Sequence, residues 1–506
     1  MSKTDLLKTT TLVTVLSVLE RGLGFLYRII LSRTIGAEGV GLYQLSLSVF
    51  AVFLTAVASG IPITVSRLLA KYKAGGDLIA QRQTVSAAAA LTLAVALPLF
   101  LLLYLGHDHL DFLFSDERCV SVFLIVLYGF VFNAVYSVVR GSFWGNRQFF
   151  AYSVIEFFEE IVMVAAGSLL IVGSTDAFDG ARRAAFAVVL SYICSFTAAM
   201  IYFFAKGGKL ANPKPQLKPL LSSAVPITAM RTSTSLVSSL VCVLLPARLM
   251  AGGLTASEAM SEYGVVLGMA LPVLYTPSTV IGSIALVLTP ELSEAYYRRR
   301  HGRLKADVEK ALRVTILIAC ALLPFFFVFG EDLGMILFNQ PQSGVLIRNG
   351  CLMLLPMSLN MIVTSVLNSL NCEKQTLVFF FFGAAALLTS VWFLTPVCGA
   401  YALLIGQTAD YTVCTVCGLV LLHKKCVEKP SYLRYLLKCL FVAAATAAVG
   451  TILYVALKRV AGLLPALFVC GLILLAAETF ALALLRLLPF PLLPRKKGRA
   501  KRGKSV

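Results

Sequence analysis

Residues Thr9–Leu31 read TTTLVTVLSVLERGLGFLYRIIL. The stretch is long enough to cross the hydrocarbon core of a bilayer, which takes about 20 residues at about 1.5 Å each. It is too long and too charged for a signal sequence, and it has no clear small-x-small cleavage site. Glu20, Arg21 and Arg28 sit inside it. A charge at bilayer depth costs about 2.5–3.5 kcal/mol on insertion scales, so such residues persist where they face protein or water rather than lipid. The stretch therefore predicts a transmembrane helix that lines an interior.

The same ruler predicts fourteen spans along the chain: 9–31, 41–70, 84–105, 119–143, 150–173, 183–205, 219–247, 263–289, 308–330, 345–370, 376–396, 399–422, 433–457 and 462–488. Composition agrees. Of 506 residues, 58% are hydrophobic and 14% charged, where soluble globular chains hold about a quarter. Mean hydropathy is +0.86, yet the net charge is +19. These values exclude a soluble enzyme, a disordered chain, a collagen and a disulfide scaffold. With the N-terminus in the cytoplasm and sides alternating, inner segments carry +25, outer ones −3 and the membrane −3. A wrong number of spans would swap sides midway and blur that contrast, because basic residues collect on the cytoplasmic side. Lys458 and Arg459, placed outside, are the visible exception.

The fold class predicted is all-α and polytopic, with both termini cytoplasmic. The Pro/Gly/Lys-rich connector 207–218 divides an N-lobe (1–206, six spans) from a C-lobe (219–422, six spans). Residues 423–490 hold two further spans and 491–506 a basic tail. Each lobe opens with a span carrying a mid-membrane arginine, Arg21 or Arg231, as in the parallel repeats of many transporters.

Arg21 and Arg28 lie two helical turns apart on one face, with Gly24 between them leaving room for a bulky group. Arg231 stands about 18 Å into the seventh span, near mid-depth. If the first and seventh spans flank a cleft, three guanidiniums look into it. Their planar, bidentate donors suit a phosphate or pyrophosphate. The competing reading is internal ion pairing. Glu156, Glu159 and Glu160 share one face of the fifth span. They are candidates for counter-charges, for a gate, or for uptake of a proton or cation, since like charges held together resist full ionisation. Asp410, halfway along the twelfth span, is a second H⁺ or Na⁺ candidate, and Glu478 reads as peripheral.

The four histidines fall in loops, and the cysteines mostly in apolar segments as small hydrophobes. Cys414-x-x-Cys417 lacks partners at metal-ligand spacing. No metal or cofactor is expected, and any coupling would be to the membrane potential, H⁺ or Na⁺. Pro272 and Pro277 predict a bent or unwound eighth span. The basic tail reads as a topology signal beside anionic membrane lipids, with no nucleic acid involved.

Four stretches carry a resemblance. Arg21-Gly-Leu-Gly-Phe-Leu-Tyr-Arg28 and Ile35-Gly-Ala-Glu-Gly-Val-Gly-Leu-Tyr43 are similar to the first two helices of the stage V sporulation protein B group. Arg140-Gly-Ser-Phe-Trp-Gly145, with Glu159, resembles its helix 4–5 junction, and Pro290-Glu-Leu-Ser-Glu-Ala295 the end of its helix 8. That group belongs to the polysaccharide-exporter branch of the MOP superfamily. The resemblance implies a bacterial plasma-membrane protein with two lobes around a V-shaped cavity. It also implies alternating-access flipping of an undecaprenyl-pyrophosphate-linked cell-wall precursor, lipid II-like or another lipid-linked oligosaccharide, with no bond made or broken. Arg21 and Arg231, assisted by Arg28, would engage the pyrophosphate. A scaffold role toward cell-wall synthesis enzymes is a further reading that can coexist with transport. The alternative in the same superfamily is an H⁺- or Na⁺-coupled multidrug antiporter using Glu156, Glu159, Glu160 and Asp410. Three cavity arginines disfavour its cationic substrates. A membrane glycosyltransferase is disfavoured by the short loops.

Overall fold

The computed structural model describes residues 3–110, 113–298, 300–425, 431–485 and 487, with backbone alone at 3–11, 286, 287 and 289–291. The basic tail lies outside the described residues. In chain order the helices are α1 (Lys3–Ala58), α2 (Ile61–Ala74), α3 (Leu78–Leu105), α4 (Arg118–Leu127), α5 (Phe130–Gly145), α6 (Phe149–Ile171), α7 (Ala177–Ala205), α8 (Lys214–Ala251) and α9 (Ala256–Tyr263). A π-helical stretch, Gly264–Ala270, leads to α10 (Leu271–Leu274). Then follow α11 (Thr276–Tyr297), α12 (His301–Phe338), α13 (Pro341–Gly350), α14 (Leu354–Ser369), α15 (Glu373–Cys398), α16 (Tyr401–Lys425), α17 (Leu433–Ala461) and α18 (Leu463–Leu484). There is no strand among the described residues.

Among the described residues, ten helices are long and apolar enough to span a bilayer, or up to 12 if each of two bent pairs is one span. The difference from fourteen has two physical sources. Leu12–Ala74 is one apolar stretch covering the first two expected spans; within it α1 turns at Gly36, whose φ of 70° suits a residue without Cβ. α6, the fifth expected span, carries three carboxylates. The eighth expected span unwinds where Pro272 and Pro277 predict, through the π-helical turns and a break at Tyr275.

Contacts group the chain into two compact units. The first comprises 1–272, 337–343 and 388–403. Within it α1 is the mast, packed against α4, α6, α7, α8 and α9. Lipid offers no hydrophobic drive between helices, so close backbone approach through small residues takes its place. Gly41 faces the Met260 carbonyl and Gly264 the Ala37 carbonyl, each where a methyl group would strike backbone. α5 meets α2 through two glycines one turn apart: a methyl at Gly141 would lie 2.8 Å from Pro62 Cα, and one at Gly145 2.7 Å from Leu69 Cβ. Val65, Leu69, Val138 and Leu220 fill the space around that contact.

The second unit comprises 273–336, 344–387 and 404–506. There α11 pairs with α14 and α17 with α18, around cores at Leu312, Ile362 and Cys439 and at Phe329, Tyr454 and Cys470. Glu478, expected to be peripheral, is instead 4% exposed. Lys458, the exception to the charge rule, is answered locally: its Nζ donates to both Asp332 oxygens at 2.7 and 2.9 Å. Other basic residues assigned outside are treated alike, Arg118 by Glu38 and Asp116, Arg183 by Asp179, Arg348 by Glu331. Large apolar side chains such as Val397 (83% exposed) and Val460 (88%) cover the outside. A soluble monomer would not carry such a surface.

Gly41→Val is expected to lower the thermal midpoint of the detergent-solubilised protein, at an overpacking cost of about 1–3 kcal/mol. Gly22, with nothing within 4 Å of its added methyl, is the control: Gly22→Ala should hold or raise that midpoint. Equal midpoints for Gly41→Val and the parent would refute the close-approach account.

Candidate functional site

Six of the seven residues singled out from the sequence fall in the first unit, on α1, α6 and α8. Asp410 is in the second unit on α16, against Gly383 of α15, and its Oδ1 accepts a hydrogen bond from the Cys414 thiol at 3.3 Å.

α1 and α6 lie side by side. The room beside Gly24 is taken by Glu160: a methyl on Gly24 would stand 2.7 Å from Glu160 Oε1. One turn on, Tyr27 packs on Gly167. This register brings Arg28 under the field of Glu160 and of Tyr43, while Glu160 also feels Glu20 and Glu156. Arg28 is half-buried and Arg21 exposed. Glu156 is held from α5, its Oε1 accepting from the Tyr136 hydroxyl at 2.6 Å. The α1–α6 seam is thus a mixed-charge block in which Glu20, Arg21, Arg28 and the three α6 carboxylates act on one another.

Arg231 sits in a different setting. It lines a cavity of about 220 Å³ with Leu54, Thr55, Ser59, Asn133, Arg140 and Trp144. No carboxylate lines it among the described residues. Its walls follow from the helix contacts already described. α1 ends at Ala58, and α2 restarts at Ile61 with Pro62 in its first turn, the position proline tolerates because its missing N–H has no helical partner there. Gly60 in the break lets that turn meet α8, where an added methyl would be 2.6 Å from the Ala224 carbonyl. On α5, Gly141 and Gly145 face α2, so the preceding residues, Arg140 and Trp144, are rotated about 100° toward the cavity. Arg140 lies 5.7 Å from the Trp144 ring centre and 6.0 Å from that of Tyr136.

In the sequence Arg140 enters only through the Arg140–Gly145 motif and not as a candidate site residue. The signal was present: Tyr136, Arg140 and Trp144 fall at i, i+4 and i+8, beside the paired glycines.

Apolar helices long enough to cross a bilayer and guanidiniums gathered at a cavity suit a membrane transporter that handles anions, and comparison with known proteins specifies the family. Residues 6–295 match the model of the polysaccharide biosynthesis protein family, and the chain belongs to that family. It is similar to stage V sporulation protein B of Bacillus subtilis (strain 168), 26% identical over 365 residues, covering 69% of this chain and 70% of that protein. It is also similar to lipid II flippase MurJ of the same strain, 26% identical over 234 residues and 42% of each chain. Among solved structures, the inward closed conformation of the lipid II flippase MurJ superposes with a TM-score of 0.71 at 13% identity, covering 94% of this chain and 98% of that one. An inward-facing multidrug resistance MATE transporter gives 0.63 at 17% identity, over 79% and 93%. These likenesses establish the fold.

Removing one member of a charge pair held in low dielectric costs more than removing both, because the survivor is left unanswered. Glu160→Gln is therefore expected to lower the thermal midpoint more than the double change Glu160→Gln with Arg28→Gln, with a coupling of about 1–3 kcal/mol. Additive effects would show that α1 and α6 are not joined through this pair.

Proposed function

We propose that the protein flips an anionic, lipid-linked glycan, a polyprenyl-pyrophosphate-linked cell-wall precursor, across the bacterial plasma membrane by alternating access. The observation that carries this is the cavity at Arg231, lined by cations and by no carboxylate among the described residues. An organic cation would meet repulsion there, whereas a phosphate oxygen finds planar charged donors. Arg231 would grip the pyrophosphate at its cavity, and Arg21 and Arg28, on the α1–α6 seam, would engage it as the helices rearrange during transport. The polyprenyl tail would stay in lipid. The names of the relatives, a sporulation protein and a lipid II flippase, support the same substrate class.

The α6 carboxylates favour ion coupling as a companion property. Glu156, Glu159 and Glu160 would serve as gate, counter-ions or H⁺ or Na⁺ sites, with Asp410 a further candidate. Outward movement of an anion would also draw on the membrane potential, worth about 2.3 kcal/mol per charge per 100 mV.

Arg21→Ala and Arg231→Ala should each abolish flipping of a fluorescent polyprenyl-pyrophosphate glycan in proteoliposomes, with the protein inserted and folded. Normal flipping by both variants would refute the assignment. Na⁺-driven efflux of an organic cation by the parent protein would replace it with the antiporter reading.

A further inference from the structure

Two buried polar atoms on the wall of the Arg231 cavity have no hydrogen-bond partner among the described residues: Arg140 Nε and Ser59 Oγ. A buried donor left unpaired forfeits about 1–3 kcal/mol, more when it is charged. Such atoms persist where a ligand or water supplies the missing bond. They do not point to a neighbouring carboxylate, because Arg140 makes no ion pair within 4 Å among the described residues. Glu159 acts on it only through its longer-range field.

We propose that Arg140 and Ser59 complete an anion-docking site around Arg231, in which a phosphate or pyrophosphate group bridges α2, α5 and α8. The inference rests on the anionic-substrate reading above and deepens it by naming where the anion is held. Three features agree. Two guanidiniums from different helices face one cavity, offering donors in the fork geometry that phosphate oxygens accept. The Ser59 hydroxyl adds a neutral donor at the point where α1 breaks. The first turn of α2 opens at the same place, with Pro62 and Ile63 on the cavity wall, and the positive end of a helix dipole favours an anion there. Broken helices whose half-helix N-termini meet anionic groups are a recurrent transporter device.

About 220 Å³ is several times the share of a single water, about 30 Å³, which leaves room for a phosphate-sized group. Arg140 is positioned for this by Tyr136 and Trp144, whose rings lie about one turn to either side. The glycines that follow Arg140 and Trp144 fix the helix rotation against α2.

The test is anion binding by the full-length protein in detergent, measured by titration calorimetry with inorganic phosphate, inorganic pyrophosphate and farnesyl pyrophosphate. The site predicts binding of both pyrophosphates that Arg140→Gln and Arg231→Gln each weaken about ten- to a hundredfold, the loss of one charge-assisted partner. Arg140→Lys, which keeps the charge and loses the fork, should fall between. Ser59→Ala should weaken binding a few-fold while leaving the thermal midpoint unchanged or raised, since the hydroxyl it removes has no protein partner to lose. The Arg140→Lys and Ser59→Ala results keep the proposal open to refutation if Arg140→Gln fails to fold. Binding of inorganic pyrophosphate that depends on Arg140, without binding of farnesyl pyrophosphate, would uphold the anion site and overturn its lipid-linked occupant. Binding of farnesyl pyrophosphate that is indifferent to Arg140→Gln and Arg140→Lys would overturn the site and leave the substrate class standing. Absence of anion binding altogether would overturn both.

Discussion

A charge inside hydrocarbon must be answered by a partner, by water or by a ligand, and nearly every feature of this protein follows from how that demand is met. The +19 net charge is largely consigned to segments between spans, where solvent and lipid headgroups answer it. Several basic residues assigned to the outer side are answered by carboxylates, Lys458 by Asp332 and Arg118 by Glu38 and Asp116, and Arg248 is answered by the Trp392 carbonyl and ring. Inside the first unit, the α1 and α6 charges answer one another across a seam kept narrow by Gly24 and Gly167. Arg140 and Arg231 stand apart from that pattern, facing a cavity to which no described carboxylate contributes.

Backbone approach does the remaining work. With lipid as solvent, burying leucine against leucine gains little, and contact area must come from helices brought close together. The glycines at 41 and 264 do this for α1 and the π-helical stretch, and those at 141 and 145 do it for α5 and α2. Because the second pair fixes the rotation of α5, it also decides which side chains reach the cavity. Packing and site are thus set by the same short motif, Arg140-Gly-Ser-Phe-Trp-Gly145.

Fold class was legible from hydropathy and charge alone, since a spanning helix announces itself by length and a charge by its cost. The prolines at 272 and 277 likewise marked where a span unwinds. The partners of the intramembrane charges were not legible, because they depend on which helices touch. Gly24 read as room for a ligand, and the fold fills it with Glu160. Glu478 read as peripheral, and helix pairing buries it. Arg140 was hidden by its place near a helix end, where an arginine normally marks the cytoplasmic border. Only the contact of α5 with α2 turns it inward.

If guanidiniums of the first unit hold the pyrophosphate of a lipid-linked glycan, that lipid should travel with the purified protein. Native mass spectrometry of the protein purified from bacterial membranes reads this most directly. The account expects an adduct whose mass and fragments identify a polyprenyl-pyrophosphate glycan, lost in the Arg231→Gln variant. A purified protein that carries no such lipid, or that retains it undiminished in Arg231→Gln, would contradict the account.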